Sequence, residues 1–303
     1  MKCRSNMLLL LAAAIWGFAF VAQRVGMEFI GPFSFNGLRF ALGAVSLLPL
    51  ILYGRNNTRA EHANVAAQSS WRIGLLAGII LFIAASLQQI GLIYTTAGKS
   101  AFITCLYIVL VPLAGIFLKQ RIMLSTWLGS ILAVIGLYFL CVKESFAISY
   151  GDFLELLGAF FWAAHILYID HYARKVNSLH LAFFQFLTCA MLSLGVALVM
   201  ESITLTGVIQ AGVPILYGGI CSVGIAYTLQ IVGQKNAAPS HAAIILSMET
   251  VFAAIGGWLI LNEQLGFQEL MGCVLMMAGM LLSQLSNIRP SADAQPATEN
   301  AKL

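Results

Sequence analysis

Apolar runs of about twenty residues recur along the whole chain, separated by short polar stretches, and that length is what an α-helix needs to cross a bilayer. Ten such spans can be drawn: 7–26, 34–53, 73–94, 101–118, 124–142, 153–169, 181–200, 212–233, 241–261 and 267–285. Transmembrane β-strands would be shorter and would alternate in polarity, which these runs do not. The pattern therefore predicts an all-α integral membrane protein of about ten transmembrane helices. Most connections are short. The polar stretch 54–70 reads as a loop, and the tail from Ser286 reads as disordered.

Composition strengthens this reading. Of 303 residues, 60% are apolar and 9% charged, with a mean hydropathy of +0.90. A soluble domain carries roughly 25% charged residues to cover its surface. The net charge of +4 is spread one or two cations per loop, so there is no basic patch and no case for nucleic acid as a partner. Six cysteines form no C-x-x-C pair, and five lie inside apolar runs, so neither a disulfide framework nor a metal site is expected. Lys2 and Arg4 precede an apolar stretch as in a signal peptide, but the stretch runs on to Ala22 and reads as a retained first span.

The cations set an orientation. With the N-terminus inside, the cytoplasmic segments hold Lys2, Arg4, Arg55, Arg59, Arg72, Lys119, Arg121, Arg174, Lys175, Lys235, Arg289 and Lys302, twelve of the 16 lysines and arginines. Arg24, Arg39, Lys99 and Lys143 remain. The positive-inside rule then places both termini in the cytoplasm, and a cell's inner (plasma) membrane is the expected location.

The chain also resembles itself. An offset of 146 carries Trp16 onto Trp162 and Arg39 onto Gln185, an offset of 141 carries Gln89-Ile90 onto Gln230-Ile231, and 143 carries Gly129 and Gly136 onto Gly272 and Gly279. The matches occur in order in corresponding spans, as an internal duplication requires. The expected units are a first five-helix repeat over 1–147, a second over 148–288 and a tail over 289–303. Five crossings per repeat force the second copy into the membrane upside down, the plan of many secondary transporters.

Several segments carry a family resemblance. Ala14-Ile15-Trp16-Gly17 in span 1, Arg39 within Gly37-Leu38-Arg39-Phe40, the stretch from Tyr94 through Thr95, Thr96, Ala97, Gly98, Lys99 and Ser100 to Ala101, the run Ser247-Met248-Glu249-Thr250-Val251-Phe252-Ala253-Ala254, and the turn Leu261-Asn262-Glu263-Gln264-Leu265 resemble EamA-type proteins of the drug/metabolite transporter superfamily. The resemblance covers roughly residues 7–285. It departs at Thr250, where the family has proline after its glutamate, so no proline supports a kink there, and at Gln120, where the first-half turn has glutamate. The resemblance implies ten spans in two inverted halves and a cavity lined mainly by spans 1, 3, 4, 6, 8 and 9, with spans 5 and 10 peripheral. It also implies export of amino acids and other small metabolites.

Polar side chains inside spans are the candidates for chemistry, because hydrocarbon tolerates them only when they face protein or water. Gln89 and Gln230 match across the halves, and their amides could hold a zwitterionic or hydroxylated substrate from two directions; interhelical bonding is the plainer alternative. Tyr227 shares a helical face with Gln230. Trp16 and Trp162, nearer mid-span than interfacial aromatics lie, suit cavity walls. Trp16, Phe20 and Gln23 share one face of span 1, Trp162 and His165 one face of span 6, and Ser100, Thr104 and Tyr107 one face of span 4. Glu249 lies near the middle of span 9, where a carboxylate is hard to bury ionised; proton coupling, recognition of a substrate amine and a structural hydrogen bond all fit. His165 could relay protons, bind substrate or be structural. Arg39 either snorkels to the outer face or binds a substrate carboxylate. The glycine pairs are for helix packing, and Pro112 bends span 4.

These features favour a secondary active transporter, by expectation an exporter of amino acids or related metabolites working by alternating access, with protons as a possible coupling ion. An exporter of organic cations or drugs is the alternative, since aromatic walls plus Glu249 suit cation–π binding. A membrane-embedded enzyme fits less well: there is no D-x-x-D, H-E-x-x-H, G-x-S-x-G or P-loop in the chain, and no cofactor motif.

Overall fold

The computed structural model describes residues 2–57, 60–94, 97–118, 122–141, 149–260 and 266–285. Among these the regular structure is entirely helical. The first half comprises α1 (Lys2–Gly26), α2 (Pro32–Asn57), α3 (Ala60–Tyr94), α4 (Ala97–Thr104), α5 (Tyr107–Phe117) and α6 (Leu124–Cys141). The second comprises α7 (Tyr150–Tyr172), α8 (Ser178–Met200), α9 (Leu205–Gln210), α10 (Gly212–Leu216), a π-helical segment Tyr217–Tyr227, α11 (Thr228–Gln234), α12 (Pro239–Leu246), α13 (Glu249–Ile260) and α14 (Phe267–Leu285). Seven stretches are each long and apolar enough to cross a membrane, and three shorter apolar helices, Tyr107–Phe117, Leu124–Phe139 and Leu270–Ser283, fall on predicted spans 4, 5 and 10. The ten-span, two-repeat architecture follows.

Two differences from the sequence reading are local. The stretch read as a loop is largely helical: α2 runs to Asn57 and α3 begins at Ala60. The segment from Ala60 to Gln68 is alanine-rich, so helix propagates outside the apolar part of the span. The expected tail, the Leu261–Leu265 turn and Gln120 lie outside the described residues.

Predicted spans 4 and 9 are each split into two half-helices, at matching places. At the first junction the Leu106 amide donates to Ile103 O (3.1 Å) and Ile108 to Cys105 O (3.0 Å); at the second, Met248 donates to Ile245 O and Thr250 to Ser247 O (both 3.2 Å). An offset of 142 superposes one set on the other. Each junction tightens to three-residue spacing before the helix resumes, which keeps the flanking amides bonded across the interruption. In span 4 the break precedes Pro112. In span 9 no proline is needed, because the Thr250 hydroxyl donates a second bond to Ser247 O at 2.8 Å.

Lipid offers no hydrophobic drive between apolar helices, so close approach at small residues must hold them together. α6 packs on α14 in this way. A methyl group on Gly129 would lie 2.7 Å from Gly279 O, and one on Gly136 the same distance from Gly272 O. Gly129 matches Gly272 and Gly136 matches Gly279 across the halves, so each contact is the other's image, as a twofold interface requires. At the other side of the bundle Phe40 and Phe186, equivalent at offset 146, meet with ring centroids 6.3 Å apart. The N-terminus of α2 is held by Glu201, which accepts from the amides of Phe33 (2.9 Å) and Ser34 (2.8 Å) and from the Ser34 hydroxyl (2.6 Å). That is the charge a helix start prefers.

Replacing Gly136 by leucine should force α6 and α14 apart and destabilise the bundle by about 1–3 kcal/mol, read as a lower unfolding midpoint in detergent. Gly195→Ala on α8, where nothing lies within 4 Å of the added carbon, should leave the midpoint equal or higher, because alanine is the better helix former.

Candidate functional site

The two junctions face each other in the middle of the bundle. Tyr107 and Glu249, the first residues of α5 and α13, are equivalent at offset 142, and the Tyr107 hydroxyl donates to Glu249 Oε1 at 3.0 Å. Cys105 Sγ lies 3.5 Å from the same oxygen. Glu249 is therefore bound to its own counterpart across the pseudo-twofold axis, at the point where both helices break. Both second half-helices begin here, so the positive ends of two helix dipoles converge on this point.

Beside this bridge is a cavity offering about 40 Å³ to the centres of water-sized molecules, several times the roughly 10–15 Å³ one water needs. One wall is aromatic. Trp16 and Trp162 flank Tyr227, with ring centroids at 4.7 Å edge-on and 6.3 Å stacked. Local backbone explains their placement. Gly17 lets α1 press against α13, since a methyl group there would lie 2.6 Å from Glu249 O. The Trp16 indole N–H donates to Ser222 O (3.1 Å) in the π-helical segment. Gly218, Gly219 and Gly224 make that segment a weak α-helix former, and π turns redirect carbonyls away from the regular ladder. Tyr217 OH, donating to Ile15 O at 2.9 Å, fastens the same segment to α1.

The same cavity also carries polar groups. Gln23, Gln88, Thr104 and Gln230 line it. Arg39 lines it as well, only 3% exposed, with its guanidinium carbon 5.0 Å from the Phe40 ring centre and 5.7 Å from that of Phe35. Among the described residues no carboxylate pairs with it. Gln23 Oε1, Arg39 Nε, Trp162 Nε1 and Gln230 Oε1 are all buried without a protein partner. Buried polar groups are normally bonded, so four such atoms on one lining point to a ligand or water that completes them.

Of the residues singled out in the sequence, Trp16, Gln23, Tyr107, Trp162, Tyr227, Gln230 and Glu249 come together on this lining. Gln89 and His165 are buried off it. Both amide atoms of Gln89 lack a partner, and its neighbour Gln88 reaches the cavity in its place, donating to Thr104 Oγ1 at 3.2 Å. His165 bonds Gln185 (3.1 Å) and stands behind the aromatic wall, 6.2 Å from the Tyr227 ring. Spans 5 and 10 contribute nothing to the described lining, while span 2 contributes Arg39.

A family model described as the EamA-like transporter family matches this chain twice, over residues 4–142 and 149–285. The chain belongs to the EamA-like transporter family. It is 31% identical over 288 residues to an uncharacterized transporter of Archaeoglobus fulgidus, covering 91% of this chain and 84% of that one. It is 24% identical to the uncharacterized transporter YoaV of Bacillus subtilis, over 89% of this chain and 92% of that one. A solved crystal structure shares the fold with a TM-score of 0.76 at 18% identity, covering 93% of this chain and 96% of that one. As an EamA-family member the protein is a multi-pass membrane transporter, whose immediate partners are the lipid bilayer and a small-molecule substrate.

For this EamA-family site, Gln230→Ala should weaken substrate binding about tenfold, the loss of roughly one good hydrogen bond. Gln89→Leu should leave binding within about twofold and leave stability equal or higher, because it removes two unpartnered polar atoms. Equal losses of binding in both variants would place the two glutamines in one symmetric site.

Proposed function

We propose that this protein is a secondary active transporter that exports amino acids, or closely related small zwitterions, by alternating access. The observation that carries the reading is the meeting of opposite charges in one cavity: Arg39 and Glu249 both line it and are not paired with each other. A zwitterion supplies what each lacks. Its carboxylate suits the Arg39 guanidinium and the convergent helix starts of α5 and α13, and its ammonium suits Glu249, with Gln230 and Gln23 completing the polar contacts. The aromatic wall accepts an apolar side chain. Split helices at equivalent places in two inverted halves are the arrangement from which alternating access arises, by one half rocking against the other.

Export of organic cations is the second reading, favoured by Trp16, Trp162 and Tyr227 beside Glu249. The buried Arg39 counts against it, because a cation without a carboxylate would bring like charge to the guanidinium.

Purified protein in liposomes should show counterflow of radiolabelled neutral amino acids, and should show none of sugars or organic cations. Arg39→Gln and Glu249→Gln should each raise the KM for the amino acid about ten- to a hundredfold, as loss of a charge-assisted bond does. Preferred exchange of organic cations, with Arg39→Gln improving it, would instead establish the second reading.

The charge distribution supports an orientation with both termini in the cytoplasm. Reporter fusions after Leu285 and within residues 54–70 should both report the cytoplasm. An external signal from either would break the five-plus-five inversion.

A further inference from the structure

One buried acid plays no part in the cavity as described above. Glu155, on the second turn of α7, is 0% exposed. Its Oε1 stands 2.5 Å from Ser100 Oγ and its Oε2 2.9 Å from Thr104 Oγ1, both hydroxyls belonging to half-helix α4. Ser100 and Thr104 are one turn apart on one face, so the carboxyl grips the half-helix at two points. Gly91 of α3 makes room for it: a methyl group there would lie 2.8 Å from both Cγ and Oε1 of Glu155. Thr104 is the last residue of α4, next to the first junction, and it lines the cavity. One hydroxyl therefore separates the buried carboxyl from the space the substrate enters.

The hydrogen-bond directions leave room for one proton. Gln88 donates to Thr104 Oγ1, so the Thr104 hydrogen points to Glu155 Oε2. Among the described residues Oε1 is bonded to Ser100, whose hydroxyl can donate to it or accept from it. The ionised carboxylate accepts from both hydroxyls; the protonated acid donates from Oε1 to Ser100 and still accepts from Thr104. In the protonated form the Ser100 hydrogen must turn away from Oε1, so the bond that ties α4 to α7 at this point changes with the protonation state.

The charged and titratable neighbours are few. On α7 itself Asp152 lies less than a turn away, engaged in the helix cap with Ser149 at 2.8 Å. From α3, Gln88 and Gly91 face the acid. On α4, Lys99 precedes Ser100 in sequence, and its side chain lies outside the described residues. α5 brings Tyr107 and α13 Glu249, both on the cavity lining, while α6 and α11 carry no acid, lysine, arginine or histidine. α12 brings His241, whose ring nitrogens bond Asn6 and Ser283 at 3.2 Å each.

We propose that Glu155 binds the coupling proton of this transporter, and that the grip of its carboxyl on Ser100 and Thr104 transmits the protonation state to half-helix α4. The proton comes from cavity water and returns to it on the other side of the membrane; no other bond is made or broken. Glu249 is left free to hold the substrate ammonium. The inference rests on the transporter reading above and adds the ion that drives it and its site.

The test uses the full chain in liposomes with radiolabelled L-serine as probe. Under an imposed pH gradient the wild type should accumulate serine, and an imposed sodium gradient should not substitute. Glu155→Gln should keep counterflow within about twofold of wild type, yet reduce pH-driven accumulation to background. Accumulation by Glu155→Gln at the wild-type level, or accumulation driven by sodium alone, would overturn the proposal. If Glu155→Gln fails to fold, Ser100→Ala keeps the carboxyl and removes the Oε1 partner; the pH midpoint of counterflow should move, and an unmoved midpoint counts against the proposal. Infrared spectra of the reconstituted protein give an answer that does not need transport. The difference between wild-type and Glu155→Gln spectra should contain a protonated-carboxyl stretch that titrates with pH, and its absence from the difference would refute the assignment. Absence of wild-type counterflow would speak against serine transport, with the infrared result still deciding Glu155.

Discussion

Inside a bilayer every backbone N–H and C=O must find its partner within the protein, and this single requirement shapes the site. It keeps most of the chain in unbroken helices. It allows a break only where protein or a water-filled cavity surrounds the freed groups. The junctions at Cys105–Leu106 and Ser247–Met248 meet that condition by tightening their hydrogen bonds and facing each other across the pseudo-twofold axis. From this placement follow the convergence of two helix starts, the Tyr107–Glu249 bridge between equivalent positions and the location of the cavity. The π-helical segment Tyr217–Tyr227 is a third departure from the regular ladder, and it too borders the cavity, where Trp16 binds the carbonyl of Ser222.

Small residues do the complementary work at the periphery. The reciprocal glycine contacts between α6 and α14 lie away from the cavity and join the last helix of one repeat to the last helix of the other. Gly17 performs a different task, bringing α1 close enough to α13 for Trp16 to share a cavity with Glu249. Close packing is thus used twice, once to hold the halves together and once to build the site.

Much of this was legible in the sequence because it depends on length, period and repetition. The ten apolar runs, the offset matches of Trp16 with Trp162 and of the glycines, and the position of Glu249 at mid-span are local signals. Other features depend on what a neighbouring helix does. Gln88 and Gln89 are adjacent residues about 100° apart around α3, and only the packing of α4 and α7 decides that Gln88 faces the cavity. Arg39 reads equally as a snorkelling or a cavity residue until Phe35, Phe40 and the second half enclose it. Glu155 carries no pattern of its own, since its hydroxyl partners lie more than fifty residues away on α4. The proline that marks a kink elsewhere in the family is absent at Thr250, and the threonine hydroxyl supports the break instead.

The central claim is that Arg39 and Glu249 hold opposite ends of one substrate. The most direct measurement is calorimetric binding of three ligands of similar size, L-alanine, propionate and ethylamine, to the wild type, Arg39→Gln and Glu249→Gln. The account predicts that Arg39→Gln loses affinity for alanine and propionate but not for ethylamine, and that Glu249→Gln loses affinity for alanine and ethylamine but not for propionate. Equal losses for all three ligands in both variants, or no loss in either, would contradict it.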